Sequence, residues 1–207
     1  MKKKLCTGMI ALTGFALWTM AVCHVDVQPI GPMASEVGFA SLNGWFHELT
    51  GVHMGLYILT DWLSLIPVAV VLGSGLMGLF QWVKRKRIWN IDRSILVLGG
   101  FYAAVFAFFV LFEAMEINYR PVLIEGVLEA SYPSSTTLLV LTVMPAAGME
   151  LGRRLKNSTW ILWANHIYTG FMAAARVLSG VHWITDIIGG VLLSVSLISF
   201  YSAFTEE

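Results

Sequence analysis

The stretch "ARVLSGVHWITD", residues 175–186, lies between two long apolar runs and decides how the rest of the chain is interpreted. It brings an arginine, a histidine and an aspartate to the point where two hydrophobic segments meet. Ionisable groups are costly inside a membrane, so each one near a hydrophobic segment needs a partner or a function. The Ser179-Gly180 pair is typical of a helix end, and His182 and Asp186 then stand four residues apart on one face of the next helix.

The composition around this stretch is that of a membrane protein. The 207 residues are 57% hydrophobic and 13% charged, with a mean hydropathy of +0.73, which is outside the usual range of soluble domains. A helix needs about 20 apolar residues to cross the hydrocarbon core. The sequence therefore predicts an all-α, polytopic fold, a single domain over residues 1–207 with six transmembrane helices. The predicted spans are residues 5–22, 56–82, 95–112, 134–151, 158–178 and 183–202.

The basic residues predict how the helices are oriented. Of the 13 lysines and arginines, 11 lie before the first span, between the second and third, or between the fourth and fifth. Loops rich in lysine and arginine stay on the cytoplasmic side, so both termini are predicted to be cytoplasmic in a plasma (inner) membrane. Arg120 and Arg176 are the two exceptions, and both fall on the outer face. The formal net charge of zero argues against a nucleic-acid partner.

Four separate pieces of sequence converge on that outer face. Guanidiniums match the oxygens of a phosphate, and serines at a helix N-terminus add hydroxyls and unpaired N–H groups. These features predict an anion site that binds phosphate. Its candidate residues are Arg120, Ser134, Ser135 and Arg176, beside the pair His182 and Asp186.

The histidine and aspartate pair predicts the chemistry. A histidine held and made more basic by a carboxylate one turn away is a fit nucleophile or general base. His182 would then carry the phosphoryl group as a phosphohistidine, with Asp186 orienting it. Metal ligation is the weaker alternative, because one histidine and one aspartate beside two arginines are a poor cation site. No metal and no cofactor is predicted.

Three motifs in this region resemble those of a known family. They are Tyr119-Arg120-Pro121, Pro133-Ser134-Ser135-Thr136 and Arg176-x5-His182-x3-Asp186. Their order and spacing resemble the type-2 phosphatidic acid phosphatases, integral-membrane lipid phosphatases whose core is shared with vanadium haloperoxidases. The resemblance implies metal-independent hydrolysis, with His182 attacking phosphorus, Asp186 orienting it, and both arginines and the Ser134–Ser135 backbone binding the phosphate.

Two departures from the family pattern concern catalysis. The family has a lysine about seven residues before the Arg-Pro pair, where this chain has Glu113. Thr136 stands where the family has the histidine that protonates the leaving oxygen, and a hydroxyl is far too weak an acid near neutral pH. A substitute acid could come from other groups of the outer side, which are His24, His47, His53, Glu116, Glu125, Glu129 and Tyr132.

The missing acid predicts the substrate. A diphosphate expels a much weaker base than an alkyl monoester does, so it tolerates the loss of a general acid. The sequence therefore predicts a phosphatase for a polyisoprenyl diphosphate, such as undecaprenyl diphosphate, at the extracytoplasmic surface. The alternatives are a phosphatidate or phosphatidylglycerophosphate phosphatase, and a non-catalytic protein that binds or moves a lipid phosphate. The predicted partners are this lipid and the membrane lipids; the sequence leaves the oligomeric state unknown.

Three further features have structural interpretations. Apolar residues between Ala34 and Gly55 recur at helical spacing and predict an amphipathic helix in the outer interface. Asp61 is interpreted as a solvated carboxylate at a helix end, with a place at the site as the alternative. His166, in mid-span, is assigned to packing or to a hydrogen bond between helices.

Overall fold

The computed structural model describes residues 1–155 and 159–205, and these residues form α-helices joined by short loops. The predicted all-α class is confirmed, since the described residues contain isolated β-bridges but no strand. Lys156 and residue 158, which the predicted loop and fifth span include, lie outside the described residues. The helices are α1 (Lys2–His24), α2 (Ala40–Thr50), α3 (Met54–Leu63), α4 (Leu65–Arg85), α5 (Arg93–Met115), α6 (Ser135–Arg154), α7 (Thr159–Leu178) and α8 (Ile184–Thr205).

Five helical segments of the described chain are long and apolar enough to cross a membrane. They are α1, the joined α3 and α4 (Met54–Arg85), α5, α6 and α8. The fifth predicted span corresponds to α7, which has 20 residues but is not among these segments. Its polar residues Asn165, His166 and Arg176 reduce its hydropathy.

The second predicted span is a helix pair with a break at Ser64. Pro67 has no N–H to donate to the carbonyl of Leu63, so the helical hydrogen bond cannot form there. The Leu63 carbonyl instead accepts the hydroxyl of Tyr168 at 2.9 Å. This bond fixes the end of α3 against α7, which matters for the site described below.

The core lies around α8, which contacts α1 and α6 along their lengths. Ser196 Oγ donates to the carbonyl of Gly8 at 3.0 Å, and Trp18 Nε1 donates to the carbonyl of Thr185 at 3.1 Å. Helix α1 is therefore an integral part of the bundle that supports the start of α8.

The α7–α8 turn is held by close backbone contact with the segment between α2 and α3. Gly180 has φ +67°, and a Cβ at this position would lie 2.0 Å from the carbonyl oxygen of Gly51. His53 N donates to the carbonyl of Ser179 at 2.9 Å. Helix α2 is the amphipathic helix predicted between Ala34 and Gly55, and its Asn43 Nδ2 donates to Thr185 Oγ1 at 2.9 Å.

The basic clusters gather at the opposite end of the bundle. Arg154 at the end of α6 donates to Ser94 Oγ at the start of α5, at 2.8 Å. Arg153 donates to Thr205 Oγ1 at the end of α8, at 2.7 Å, and Lys4 contacts Ser202 on the same helix. The basic clusters, as far as the structure describes them, therefore share one end of the molecule, and Arg120 and Arg176 lie at the other.

Candidate active site

Asp186 is fixed in the first turn of α8 by donors from two other parts of the chain. Its carboxylate is fully buried and accepts the N–H of Trp183 at 3.0 Å and Asn118 Nδ2 at 3.2 Å. Trp183 Nε1 in turn donates to the carbonyl of Tyr119 at 2.7 Å. Each carboxylate oxygen therefore accepts one N–H donor, which fixes the orientation of the Asp186 side chain.

His182 lies between Asp186 and Arg120. Its Nδ1 is 3.7 Å from Asp186 Oδ2, beyond hydrogen-bond distance, and has no other partner. Its Nε2 is 3.2 Å from Arg120 Nη1. Arginine can only donate, so Nε2 is the acceptor and the proton of the neutral imidazole belongs on Nδ1. The predicted pair is therefore adjacent, with the lone pair of Nε2 directed at the arginine.

Burial lowers the pKa of His182 to about 4. The Asp186 carboxylate acts in the opposite direction, as the sequence predicts, but the charges of Arg120 and Arg176 add to the effect of burial. The prediction of a more basic histidine is therefore correct for the effect of Asp186 alone, but it is wrong for the net pKa of His182. His182 is neutral near pH 7, which is the form that a nucleophile needs.

Arg120 approaches the site from the loop between α5 and α6. The Arg120 N–H donates to the carbonyl of Glu129 at 3.0 Å, which keeps this loop folded on itself. Its Nε lies 2.9 Å from Glu129 Oε2. Arg120 thus uses one edge of its guanidinium to hold Glu129 and directs the other at His182.

Arg176 is almost completely buried in the last turn of α7, with 2% of its side chain exposed. Its Nη2 donates to Thr136 Oγ1 and lies 3.8 Å from Asp61 Oδ1, whereas its Nε and Nη1 have no hydrogen-bond partner. A buried N–H without a partner costs about 1–3 kcal/mol. The unpaired N–H groups therefore indicate a place for an anion that completes them.

The start of α6 differs in one respect from the predicted phosphate cradle. The N–H of Ser134 donates to the carbonyl of Asp186 at 3.1 Å, and its hydroxyl accepts Thr137 Oγ1 at 2.9 Å. The Ser134 amide therefore ties α6 to α8 and is not free for a phosphate. Ser134 makes no side-chain cap, which leaves the N–H of Ser135 and Thr136 as candidate donors in the first turn.

Most of the candidate acids have partners away from the arginines. His47 packs on Trp183 with ring centroids 5.5 Å apart, and the Tyr132 hydroxyl lies 2.7 Å from Thr19 Oγ1. Glu129 is the predicted candidate that contacts Arg120. The remaining contacts are His24 with the carbonyl of Met20, His53 with the carbonyl of Thr50, and Glu116 with the Tyr119 hydroxyl.

Two residues of α3, Asp61 and Tyr57, belong to the site. The sequence predicts a place at the site for Asp61 only as an alternative, and it predicts none for Tyr57. Asp61 is exposed as expected, at 62% of its side chain, but it pairs with Arg176. The ring of Tyr57 lies 5.1 Å from Arg176 Cζ and 5.8 Å from Arg120 Cζ, measured to its centroid. The two residues are four apart on one helix face, and this spacing is the signal that could have linked them.

An apolar cavity of about 460 Å³ leads from the site into the bundle between α4, α5 and α6. Its polar end is formed by Ser64, Ser135 and Thr136. A second cavity of about 660 Å³ between α4 and α5 shares Val71, Tyr102 and Phe106 with the first. The two cavities are therefore neighbours along α4, from the start of α6 toward the basic end, and are called the groove below.

Comparisons with known proteins agree with this architecture. Residues 113–207 match the family model of the PAP2 superfamily. Over 205 residues the chain is 23% identical to phosphatidylglycerophosphatase B of Bacillus subtilis (strain 168), covering 96% of this chain and 95% of that protein. It also matches the crystal structure of a transmembrane PAP2 type phosphatidylglycerolphosphate phosphatase from Bacillus subtilis, with a TM-score of 0.55 and 19% identity over 96% of this chain and 95% of that one. The matched segment, residues 113–207, contains all three motifs, and the chain is similar over almost its full length to a membrane-bound phosphoric ester hydrolase.

Proposed function

We propose that the protein hydrolyses a lipid phosphate or diphosphate at the outer face of the cell membrane through a phosphohistidine on His182. The observation that carries this proposal is the buried Arg176, whose Nε and Nη1 have no partner, close to a neutral imidazole. A phosphate bound there would satisfy both N–H groups. The phosphate would also form an ion pair with the guanidinium, which compensates for the loss of its hydration on burial.

The chemistry follows from the groups around that phosphate. His182 Nε2 attacks phosphorus as the bond to the leaving oxygen breaks, and Arg120 and Arg176 stabilise the charge on the equatorial oxygens. The imidazole becomes positive as the N–P bond forms. Asp186, buried beside Nδ1, stabilises that charge. Water then attacks the phosphohistidine, which releases phosphate and restores neutral His182.

The proposed orientation has six spans, both termini in the cytoplasm and the site outside. The gathering of the basic residues at the end opposite the site supports it. Helix α7 serves as the sixth span, because its 20 residues measure about 30 Å at 1.5 Å per residue. That length matches the hydrocarbon core, and α7 ends at the site with Arg176.

The proposed substrate is a polyisoprenyl diphosphate such as undecaprenyl diphosphate. Thr136 at the general-acid position favours a leaving group that needs little protonation. The groove also follows α4 from Ser64 to Gly78, about 21 Å at 1.5 Å per residue, whereas one leaflet of the core is about 15 Å. A groove that passes the midplane suits a chain longer than one leaflet.

The second candidate substrate is phosphatidylglycerophosphate, because the curated relative is named phosphatidylglycerophosphatase B. The test is kcat/KM for an isoprenyl diphosphate, phosphatidate and phosphatidylglycerophosphate, in wild type and in Thr136→His. The proposal expects wild type to favour the diphosphate and the added histidine to speed the monoesters disproportionately. Equal or better hydrolysis of the monoesters by wild type would refute the substrate assignment. No release from any of them would favour a non-catalytic protein that binds or moves a lipid phosphate.

A further inference from the structure

The site has no obvious donor for the leaving oxygen at the position where the family places one. The Thr136 hydroxyl accepts a hydrogen bond from Arg176 Nη2, and a hydroxyl is too weak an acid to supply a proton near neutral pH. Any other acid must lie on the side of the phosphate away from His182, because the attacking and leaving groups of phosphoryl transfer are in line.

The groove shows where the leaving oxygen lies. The lipid tail continues from that oxygen, and the polar end of the groove is formed by Ser64, Ser135 and Thr136. Arg176 contacts Thr136 at this end, whereas Arg120 contacts the nucleophile His182. The leaving oxygen therefore lies on the Arg176 side of the phosphate, between the guanidinium and the groove.

Asp61 is the carboxyl group that the described ion pairs place on this side. Its Oδ1 lies 3.8 Å from Arg176 Nη2, the nitrogen that donates to Thr136 Oγ1 at the polar end of the groove. With 62% of its side chain exposed, it can exchange protons with water. Glu129 is the corresponding carboxyl group on the Arg120 side, next to the nucleophile.

We propose that Asp61 is the general acid that protonates the leaving oxygen, in place of the missing histidine; this rests on the proposed function of the same site. The preference for a diphosphate is kept, because a carboxyl group that is mostly exposed and paired with Arg176 is a poorer proton donor to a basic alkoxide than the family's histidine. In the first step the N–P bond to His182 forms, the P–O bond to the lipid breaks, and the Asp61 carboxyl proton passes to the lipid oxygen. In the second step the Asp61 carboxylate takes a proton from water as the water oxygen attacks phosphorus. The N–P bond then breaks, and phosphate and neutral His182 are released.

The experiment measures how the effect of Asp61→Asn depends on the leaving group. Protein in detergent is assayed with phosphatidate, whose leaving alkoxide is strongly basic, and with an isoprenyl diphosphate, whose leaving monophosphate is weakly basic. We expect kcat/KM for phosphatidate to fall about 10²- to 10⁴-fold and that for the diphosphate to fall less than about tenfold. Thr136→His in the Asp61→Asn background should restore phosphatidate hydrolysis selectively.

Three matched variants identify the residue. Glu48→Gln, an exposed carboxylate on α2, should leave both rates unchanged. Glu129→Gln and Tyr57→Phe remove the other proton donors near the arginines while keeping their shape, and should lower both rates by similar factors. Selective loss of the monoester rate in either of these two, with none in Asp61→Asn, would overturn the proposal.

Failure of this inference is distinguishable from failure of the proposed function. If wild type releases phosphate and Asp61→Asn lowers both rates equally, Asp61 positions Arg176 and is not the acid. If Asp61→Asn leaves the monoester rate intact, the inference is also wrong. If wild type releases phosphate from neither substrate, the proposed function fails and this proposal fails with it.

Discussion

Two arginines at opposite ends of the bundle have opposite environments. Arg154 at the basic end is partly exposed, and its guanidinium is 2.6 Å from Glu150, 2.8 Å from Ser94 Oγ and 3.5 Å from Asp92. Arg176 at the other end is buried, yet two of its nitrogens have no partner. Stability alone would reverse this distribution, because unpaired polar groups cost most where water is absent. The exposed arginine serves the fold, and the buried one is arranged for a ligand.

Replacing the two arginines separately is expected to give the largest contrast. Arg176→Ala should lower kcat/KM by a factor that corresponds to about 2–5 kcal/mol of lost transition-state stabilisation, since it removes a buried contact to a charged group. Arg154→Ala should lower the free energy of unfolding by under about 1 kcal/mol, because partly exposed ion pairs contribute little to stability. Phosphate release and thermal unfolding in detergent measure both variants. Equal effects on turnover would remove the distinction between the two ends.

A smaller effect is expected from Asp186→Asn. The amide keeps the size of the side chain but not the charge that stabilises the imidazolium, so kcat should fall by less than in His182→Ala. The decrease should be similar for diphosphate and monoester substrates, because Asp186 acts on the nucleophile and not on the leaving oxygen. A loss confined to one substrate would place Asp186 in another role.

The low pKa of His182 predicts the acid side of the pH profile. Only the neutral imidazole attacks, so kcat/KM should fall as the pH drops through about 4, the lowered pKa of His182. It should not fall through 6.5, the ordinary pKa of a histidine. Between these values the unfolded chain binds the proton more readily than the folded one. The stability contributed by neutral His182 is therefore complete above pH 6.5 and decreases toward pH 4. A decrease in kcat/KM near pH 6.5 with every substrate would contradict the low pKa of His182.

The orientation of the two ends can be tested without affecting catalysis. In a background without Cys6 and Cys23, Ile124→Cys should react with an impermeant thiol reagent added outside intact cells. Asn90→Cys, at the basic end, should react only after the cells are opened. The reverse pattern would place the site in the cytoplasm and would contradict the proposed extracytoplasmic reaction.

Local spacing explains which parts of the site could be predicted from the sequence. The sequence predicts His182 and Asp186 on one helix face, but α8 begins at Ile184, so His182 lies in the turn before the helix and only Asp186 in its first turn. Arg176 lies in the last turn of α7, six residues before His182, so the three residues are close because they are close in sequence across one tight helix connection. Asp61 and Tyr57 could not be placed in this way. Their approach to Arg176 depends on the break at Pro67 and on the bond from Tyr168 to the Leu63 carbonyl, which joins residues 105 apart.

The same limit applies to backbone groups and to α7. The Ser134 N–H donates to the carbonyl of Asp186. The sequence cannot predict this hydrogen bond, because every residue except proline has a backbone N–H. The low hydropathy of α7 arises from Asn165, His166 and Arg176, of which Asn165 bonds to the carbonyl of Met144 in α6 at 2.7 Å. His166 is exposed on α7, so its assignment to helix packing stays a prediction.

The most direct test of the whole account is to trap the phosphoenzyme. Wild type is mixed with an isoprenyl diphosphate labelled with ³²P at the terminal phosphate and quenched in alkali within the first turnover. The account predicts a label that is stable in alkali and labile in acid, on the peptide that contains His182. The label should be absent in His182→Ala and retained in the control His166→Ala. Phosphate release by wild type with no trapped label, or an undiminished label in His182→Ala, would contradict the phosphohistidine mechanism.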